Sequence, residues 1–281
     1  MKIGVTFARL RPALWVETAE RCDELGYESI WLPEHLVLPV HQSGSPYAGV
    51  DHPPVRADAP VFDVFTMLAF FAARTERIRL GTNVYNLGLR HPFVTARAVA
   101  TLDMLSGGRV ELGIGASWLA EEWDAAGLDF ASRGGRVDEA LEVCKRLWTE
   151  PEIEHKGEHF SFAPVAFEPK PTQPGGPPIS VGGDSKPALR RAALRGDGWI
   201  PMNTPIGGVA AARAEIEAMR SEADRDGEFT VTLMGAPSSA EDLEAYERAG
   251  VDRLVVFPWR RSAEAADGLK AFAEAFLRGD R

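Results

Sequence analysis

Residues 29–36 read SIWLPEHL, an apolar run that ends abruptly in charged side chains. The unbroken apolar segment 30–32 is typical of a strand that is buried on both faces, as strands of parallel sheets are. Pro33 ends this strand, and two titratable residues, Glu34 and His35, follow it. The pair is either part of a chemical site or the ordinary start of a loop, and this stretch alone leaves both interpretations open.

Seven other short apolar runs share this pattern, and helical patterns fill the intervals between them. The strand candidates are 3–8, 29–32, 78–85, 109–115, 178–183, 198–202, 229–235 and 252–257, and the helix candidates are 13–25, 62–74, 93–105, 136–148, 187–195, 208–223, 240–249 and 263–277. Eight strand–helix units predict an α/β fold, a (β/α)8 TIM-type barrel forming a single domain over 1–281. A doubly wound open sheet is the alternative, but eight regular units favour closure.

Two segments interrupt the regular alternation. The long, proline-rich loop 37–60 follows the second strand, and loops of this length are usually functional or mobile. The insertion at about 150–177, after the fourth helix, contains HKGEHFSFAPVAFEPKP, which resembles a small β-hairpin. This insertion is either a surface addition or part of a pocket wall or dimer contact.

Composition excludes several classes of function. The 281-residue chain has a formal charge of −10 that is spread along the sequence, which argues against nucleic acid as a partner. Cys22 and Cys144 lie inside helical patterns without metal-ligand spacing, so buried free thiols are expected. The chain opens on a strand-like run without a signal-peptide pattern, and no apolar run approaches the ~18 residues of a membrane span. We therefore expect a cytoplasmic protein with no membrane partner.

The barrel rule places the candidate site at the carboxyl ends of the strands. After strand 178–183, the turn Gly182, Gly183, Asp184, Ser185 leads into a helix whose N-terminus favours a phosphate group. The alternative is an ordinary tight turn in which Asp184 or Ser185 caps the helix.

The loop after strand 109–115 is a second candidate for ligand contact. Its residues are Gly115, Ala116, Ser117 and Trp118. Small residues here would let a flat ligand approach the backbone, or they serve packing at the barrel mouth. Ser117 lacks the G-x-S-x-G context of a hydrolase nucleophile. His35, His41 and His52 lack metal-ligand spacing, so no metal is predicted.

Five stretches together resemble the bacterial luciferase-like superfamily. They are GYESIWLPEH, TERIRLGTNVYNLGLRHP, ATLDMLSGGRVELGIGASWLAEEW, RGGRVDEALEVCKRLWTE and PPISVGGDSKPALRRAALRGDGWIP, in this order. The resemblance covers about residues 1–203 strongly and is greatest to the branch of oxidoreductases that use the deazaflavin coenzyme F420. It implies a TIM-type barrel with an insertion, a homodimer, and a cofactor lying across the carboxyl-terminal mouth.

The resemblance also implies roles for individual residues. It implies a non-prolyl cis peptide at Asn83-Val84 behind the cofactor ring, a cofactor loop over Gly115, Ala116, Ser117 and Trp118, and a phosphate turn at Gly182, Gly183 and Ser185 beside Asp184. Glu34 and His35 would lie beside the reactive face of the ring. His35 would be the general acid or base, because an imidazole titrates near neutral pH. Glu34 would orient it, or would face away and hold the loop.

The implied function is hydride transfer to or from a small organic substrate. Trp118 stands where sugar-phosphate dehydrogenases of this branch carry a catalytic glutamate, so a sugar substrate is not expected. An apolar substrate is predicted instead, packed among Trp31, Trp118, Trp259 and the loop 37–60. The alternatives are an FMN-dependent monooxygenase and a flavin-binding protein without catalysis.

Overall fold

Eight parallel strands close into a barrel in the computed structural model, which describes residues 1–47 and 49–277. Ala48, inside the predicted loop 37–60, and residues 278–281, at the end of the predicted domain, lie outside the described residues. The strands are β1 Lys2–Thr6, β2 Ser29–Leu32, β3 Arg79–Thr82, β4 Tyr85–Asn86, β5 Val110–Gly115, β6 Glu152–Lys156, β7 Ser161–Ala166, β8 Ile179–Gly182, β9 Gly198–Ile200, β10 Thr230–Met234 and β11 Arg253–Val256. The order around the barrel is β1, β2, β3, β5, β8, β9, β10, β11, and β11 pairs with β1, which confirms the predicted closure.

Helices connect the strands and cover the outside of the barrel. They are α1 Trp15–Leu25, α2 Val64–Ala72, α3 Pro92–Ser106, α4 Ala120–Ala125, α5 Arg133–Thr149, α6 Lys186–Arg195, α7 Ile206–Glu222, α8 Ala240–Arg248 and α9 Ala265–Phe276. All eight predicted helices are present, with small shifts at their ends. The short helix α4, in the loop after β5, was not predicted. Gly26 ends α1 in the left-handed region with φ 86°, as expected for a glycine at this position.

The barrel interior is filled by Trp31, whose indole occupies the space beside two glycines. A Cβ on Gly4 would lie 2.8 Å from Trp31 Nε1, and a Cβ on Gly81 would lie 2.5 Å from Trp31 Cε3. Gly4 belongs to β1 and Gly81 to β3, the two neighbours of β2. A Cβ on Gly4 would also lie 2.5 Å from Ser29 Oγ, so side chains of β2 leave room only for glycine at both positions.

A buried ion network closes the amino-terminal end of the barrel. Arg253, only 1% exposed, pairs with Glu28 at 2.7 Å and with Glu111 at 3.2 Å. Arg79 pairs with the same Glu111 at 2.5 Å. Loss of one partner would leave a buried charge uncompensated, so we assign this cluster to stability.

The two segments outside the strand–helix alternation differ in structure. In the insertion, β6 and β7 pair as an antiparallel hairpin, which confirms the predicted hairpin. The described residues of the loop 37–60 contain neither helix nor strand. The predicted strand 78–85 is divided into β3 and β4, and the cis peptide bond Asn83-Val84 lies between them.

Candidate active site

The floor of the barrel mouth is apolar and is centred on Val84. The cis peptide Asn83-Val84 lies where the resemblance implied it, directly after β3. A Cβ on Gly115 would lie 2.6 Å from Val84 Cγ2, and a Cβ on Gly182 would lie 2.9 Å from Val84 Cγ1. The packing of Val84 thus explains the glycines that end β5 and β8. Below it, a separate apolar cluster is formed by Trp31, Ile200 and Val255.

His35 lies in the loop after β2 and contacts Glu122 of α4. The distance between His35 Nδ1 and Glu122 Oε2 is 3.0 Å, and the Glu122 side chain is 0% exposed. Glu122 Oε1 accepts hydrogen bonds from the backbone N–H groups of Leu36 at 2.6 Å and Val37 at 3.3 Å. Because a carboxylate only accepts, Nδ1 carries the hydrogen, and Nε2 of the neutral ring is the free acceptor. The Trp118 ring meets the imidazole edge to face, with centroids 6.1 Å apart.

Glu34 pairs with Arg90 and not with its sequence neighbour His35. Arg90 Nη2 donates to Glu34 Oε1 at 2.5 Å, and the Asn86 N–H donates to Oε2 at 2.9 Å. Burial raises the pKa of Glu34 above its ordinary value, and repulsion by Glu122 adds to the shift, while Arg90 opposes it. Of the two roles left open for Glu34, the contacts support the one in which it faces away and holds the loop. The carboxylate that contacts the imidazole is Glu122.

The loop after β2 crosses the mouth and is attached on its far side. Glu121 Oε1 accepts hydrogen bonds from the hydroxyl and the backbone N–H of Ser43, the latter at 2.9 Å. Asn203, which follows β9, donates its amide to the carbonyl oxygen of Pro46 at 2.7 Å. These contacts join the loop to the segments after β5 and β9, so it forms one wall of the mouth.

The turn after β8 leads into the N-terminus of α6, and its Gly183 N–H is donated to the carbonyl oxygen of Ile200 at 3.0 Å. Gly183 adopts φ 111°, a conformation that favours glycine, and Ser185 caps α6 by accepting from the Ala188 N–H at 3.4 Å. Ser185 is exposed. Asp184 is occupied elsewhere, because its carboxylate accepts the N–H groups of residues 202–204 and stabilises the loop after β9. The Asp184 carboxylate is therefore less available to contact a cofactor than the exposed Ser185 beside it.

The loop after β5 is compact and partly exposed. Ser117 adopts φ 66° in the left-handed region, and its hydroxyl accepts from the Leu119 N–H at 3.3 Å. Ala116 and Trp118 are half-buried. Trp118 is therefore a partly exposed side chain in contact with the His35 ring.

Two of the predicted pocket walls lie elsewhere in the fold. Trp31 is 0% exposed inside the barrel, and Trp259 is 7% exposed within the main core. Neither side chain presents a surface to a substrate in this arrangement. Side chains at the mouth that do have apolar exposed surface are Leu36, Val37, Val40, Met202 and Met234.

Two members of the site were missed from the sequence, namely Glu122 and Arg90. Glu122 lies four residues after Trp118 in a segment where no helix was predicted, and Arg90 had no sequence signal. The unpredicted helix α4 is what brings Glu122 back beneath the loop that carries His35.

Other classes of site find no support in the described part of the chain. Across residues 1–47 and 49–277, no three His, Cys, Asp or Glu side chains are grouped to hold a metal ion. Within the same ranges, no helix has the length and apolarity that a bilayer crossing requires. Cys22 and Cys144 are free and buried, as predicted.

Fold and site together define a (β/α)8 barrel with a histidine–carboxylate pair at its mouth. A family model described as luciferase-like monooxygenase matches residues 8–278, so the chain belongs to this family. This confirms the resemblance found in the sequence.

Relatives in the family have different stated activities. An uncharacterised protein of Mycobacterium tuberculosis is 30% identical over 244 residues, which is 86% of this chain and 84% of that protein. The F420-dependent glucose-6-phosphate dehydrogenase of Amycolatopsis mediterranei is 32% identical over 208 residues, 71% of this chain and 57% of the relative. Among solved structures, the monooxygenase RslO1 of Streptomyces bottropensis superposes with a TM-score of 0.78 at 23% identity and covers 99% of both chains. These comparisons support an oxidoreductase of the luciferase-like family.

Proposed function

We propose that this protein is an F420-dependent oxidoreductase that transfers hydride to or from a small, apolar organic substrate. The observation that carries the proposal is the His35–Glu122 pair at the mouth, with Nδ1 and Oε2 3.0 Å apart. Such a pair is suited to the proton transfer that accompanies hydride transfer at an alcohol or carbonyl carbon. The relationship to an F420-dependent dehydrogenase favours this cofactor.

The residues at the mouth fit a flat cofactor that carries a phosphate group. Val84 offers an apolar surface for the ring, while Ser185, which is exposed at the N-terminus of α6, offers its backbone N–H for the phosphate. When bound, the deazaflavin supplies or accepts the hydride and reacts poorly with oxygen. His35 takes the proton from a substrate hydroxyl during oxidation or returns it during reduction. Glu122 stabilises the imidazolium that forms.

An FMN-dependent monooxygenase is the second candidate, favoured by the structural similarity to a monooxygenase. A third, non-catalytic flavin-binding role accounts less well for a buried carboxylate paired with a histidine at the mouth.

Titration with the two cofactors tests the proposal directly. Absorbance and tryptophan fluorescence should report binding of F420 at about micromolar Kd and weaker binding of FMN. Binding of FMN alone would replace the first candidate with the second. Failure of both cofactors to bind would overturn the proposed function.

Glu122→Gln tests the role assigned to the carboxylate. A glutamine can keep the Leu36 N–H bond with its carbonyl oxygen while its amide donates to Nδ1, which leaves the ring in the wrong tautomer for a base at Nε2. We expect kcat for alcohol oxidation to fall about 10²-fold or more with unchanged cofactor affinity. Glu121→Gln is the matched control, since this neighbouring carboxylate contacts Ser43 and not His35. Equal losses in both variants would contradict the assignment.

A cytoplasmic homodimer completes the proposal. On α3, Val94 and Leu105 are 59% and 66% exposed and, eleven residues apart, share one face of the helix. Phe70 on the adjacent α2 is 52% exposed. Exposed apolar side chains on neighbouring helices support an interface between copies, and a monomeric mass in sedimentation equilibrium would contradict it.

A further inference from the structure

Four arginines form an exposed cluster on one side of the barrel mouth. Arg9 and Arg11 follow β1, and Arg260 and Arg261 follow β11, the neighbouring strand. The two loops are tied together, since the Arg11 N–H donates to Ser262 Oγ at 3.1 Å. We call these four residues the arginine cluster.

Most of the positive charge in the arginine cluster has no matching carboxylate. Arg261 pairs with Glu264, with Nε 2.7 Å from Oε1. The guanidinium groups of the other three have no hydrogen-bond acceptor and no ion pair within residues 1–47 and 49–277. Arg9 is held with its guanidinium carbon 4.7 Å from the centre of the Phe257 ring, which leaves its N–H donors free. Three unmatched cations are notable in a chain of net charge −10.

The arginine cluster lies on the substrate side of the proposed site. Around the barrel, β1 separates β11 from β2, whose loop carries His35, whereas β8 lies four strands away from β1. The turn Gly182–Ser185, the candidate for the cofactor phosphate, is therefore across the mouth from the cluster. An anionic group bound by the arginine cluster would therefore belong to a molecule other than the one whose phosphate lies at the turn Gly182–Ser185. That molecule would approach His35 from the side of the mouth that carries the arginine cluster.

We propose that the arginine cluster is an anion subsite that binds the carboxylate or phosphate group of the substrate. Guanidinium groups match both anions because they donate two parallel hydrogen bonds. The substrate would then be an apolar molecule with one anionic end, its apolar part lying against Leu36, Val37 and Met234. This inference rests on the proposed function for the position of the reacting carbon, but the anion site itself can be tested without turnover.

Site-resolved arginine modification tests the subsite. The protein is treated with phenylglyoxal with and without inorganic phosphate, and modified peptides are quantified by mass spectrometry. Phosphate should slow modification of Arg9 and Arg260 by about fivefold or more. Arg248 on α8, 64% exposed and paired with Glu244, is the control and should react at an unchanged rate. Absence of protection, or equal protection of Arg248, overturns the subsite.

A second measurement separates the substrate from the cofactor as the source of the anion. F420 with and without its glutamyl tail is titrated into the wild type and into the double variant Arg9→Ala/Arg260→Ala. Equal affinities in both proteins are expected. A loss in the variant that is confined to the tailed cofactor would assign the arginines to the cofactor and overturn the substrate assignment. If neither cofactor binds the wild type, the proposed function fails, whereas the phosphate result still decides the subsite.

Discussion

His35→Ala is expected to lower kcat by about 10²–10⁴-fold, the range that a positioned acid–base group supplies. The imidazole is the only group at the mouth whose ring nitrogen is oriented by a buried carboxylate within the described residues. Its removal takes away the proton acceptor for alcohol oxidation and the donor for the reverse reaction. Stopped-flow measurement of deazaflavin reduction checks the expected loss.

Cofactor affinity separates a chemical role of His35 from a structural one. Within the described residues, no hydrogen bond or ring contact joins the imidazole to Val84 or to the turn after β8, so Kd for the cofactor should change by less than about threefold. His52→Ala is the control, because His52 lies in the same loop, is exposed, and among the described residues its ring hydrogen-bonds only to the Pro53 carbonyl oxygen, at 3.2 Å. Full activity of His35→Ala would refute the acid–base role.

The barrel could be predicted because its signal is repeated along the chain. Eight runs of strand length, each followed by a helical pattern, leave few arrangements that bury both faces of every strand. The glycines at the ends of β5 and β8 were harder to interpret from the sequence. For Gly115 and Gly182 the sequence left open a ligand close to the backbone or an ordinary packing or turn role, and the structure shows that both make room for Val84. The sequence shows that glycine has no side chain at these two positions, but only the folded structure shows which neighbouring side chain fills the space beside each glycine.

The pairing of charges at the site could not be predicted from sequence. Glu34 and His35 are adjacent in the chain, but the side chains of neighbouring residues after a strand point in different directions. Each of the two side chains therefore contacts a residue that is distant in the sequence. Arg90 is 56 residues from Glu34, and Glu122 is 87 residues from His35. Such contacts depend on the loop path and on the unpredicted helix α4. The position of the site was therefore predictable, whereas the identity of its orienting carboxylate was not.

Arg90→Met is expected to lower the free energy of unfolding by about 3–5 kcal/mol at neutral pH, the usual cost of leaving a buried charge unpaired. Glu34 has a side chain that is 1% exposed, and Arg90 is its cationic partner. Methionine keeps much of the volume beside the Tyr85 ring, over which the guanidinium lies at 4.7 Å. The decrease in the free energy of unfolding should therefore result mainly from the unpaired charge of Glu34 and only to a small extent from a cavity. Urea denaturation followed by tryptophan fluorescence measures it.

The pH dependence of this loss identifies its cause. Burial already raises the pKa of Glu34, and removal of Arg90 takes away the group that opposes this shift. The folded variant then favours the protonated carboxyl, so its stability deficit against the wild type grows as pH rises through the raised pKa and shrinks in acid. Adding Glu34→Gln should restore most of the stability, because both charges are then absent and the Asn86 N–H keeps an acceptor. Arg248→Ala, which breaks an exposed pair, should cost no more than about 0.5 kcal/mol. A deficit of Arg90→Met that is the same at acidic and neutral pH would show that packing, and not the charge of Glu34, makes Arg90 necessary.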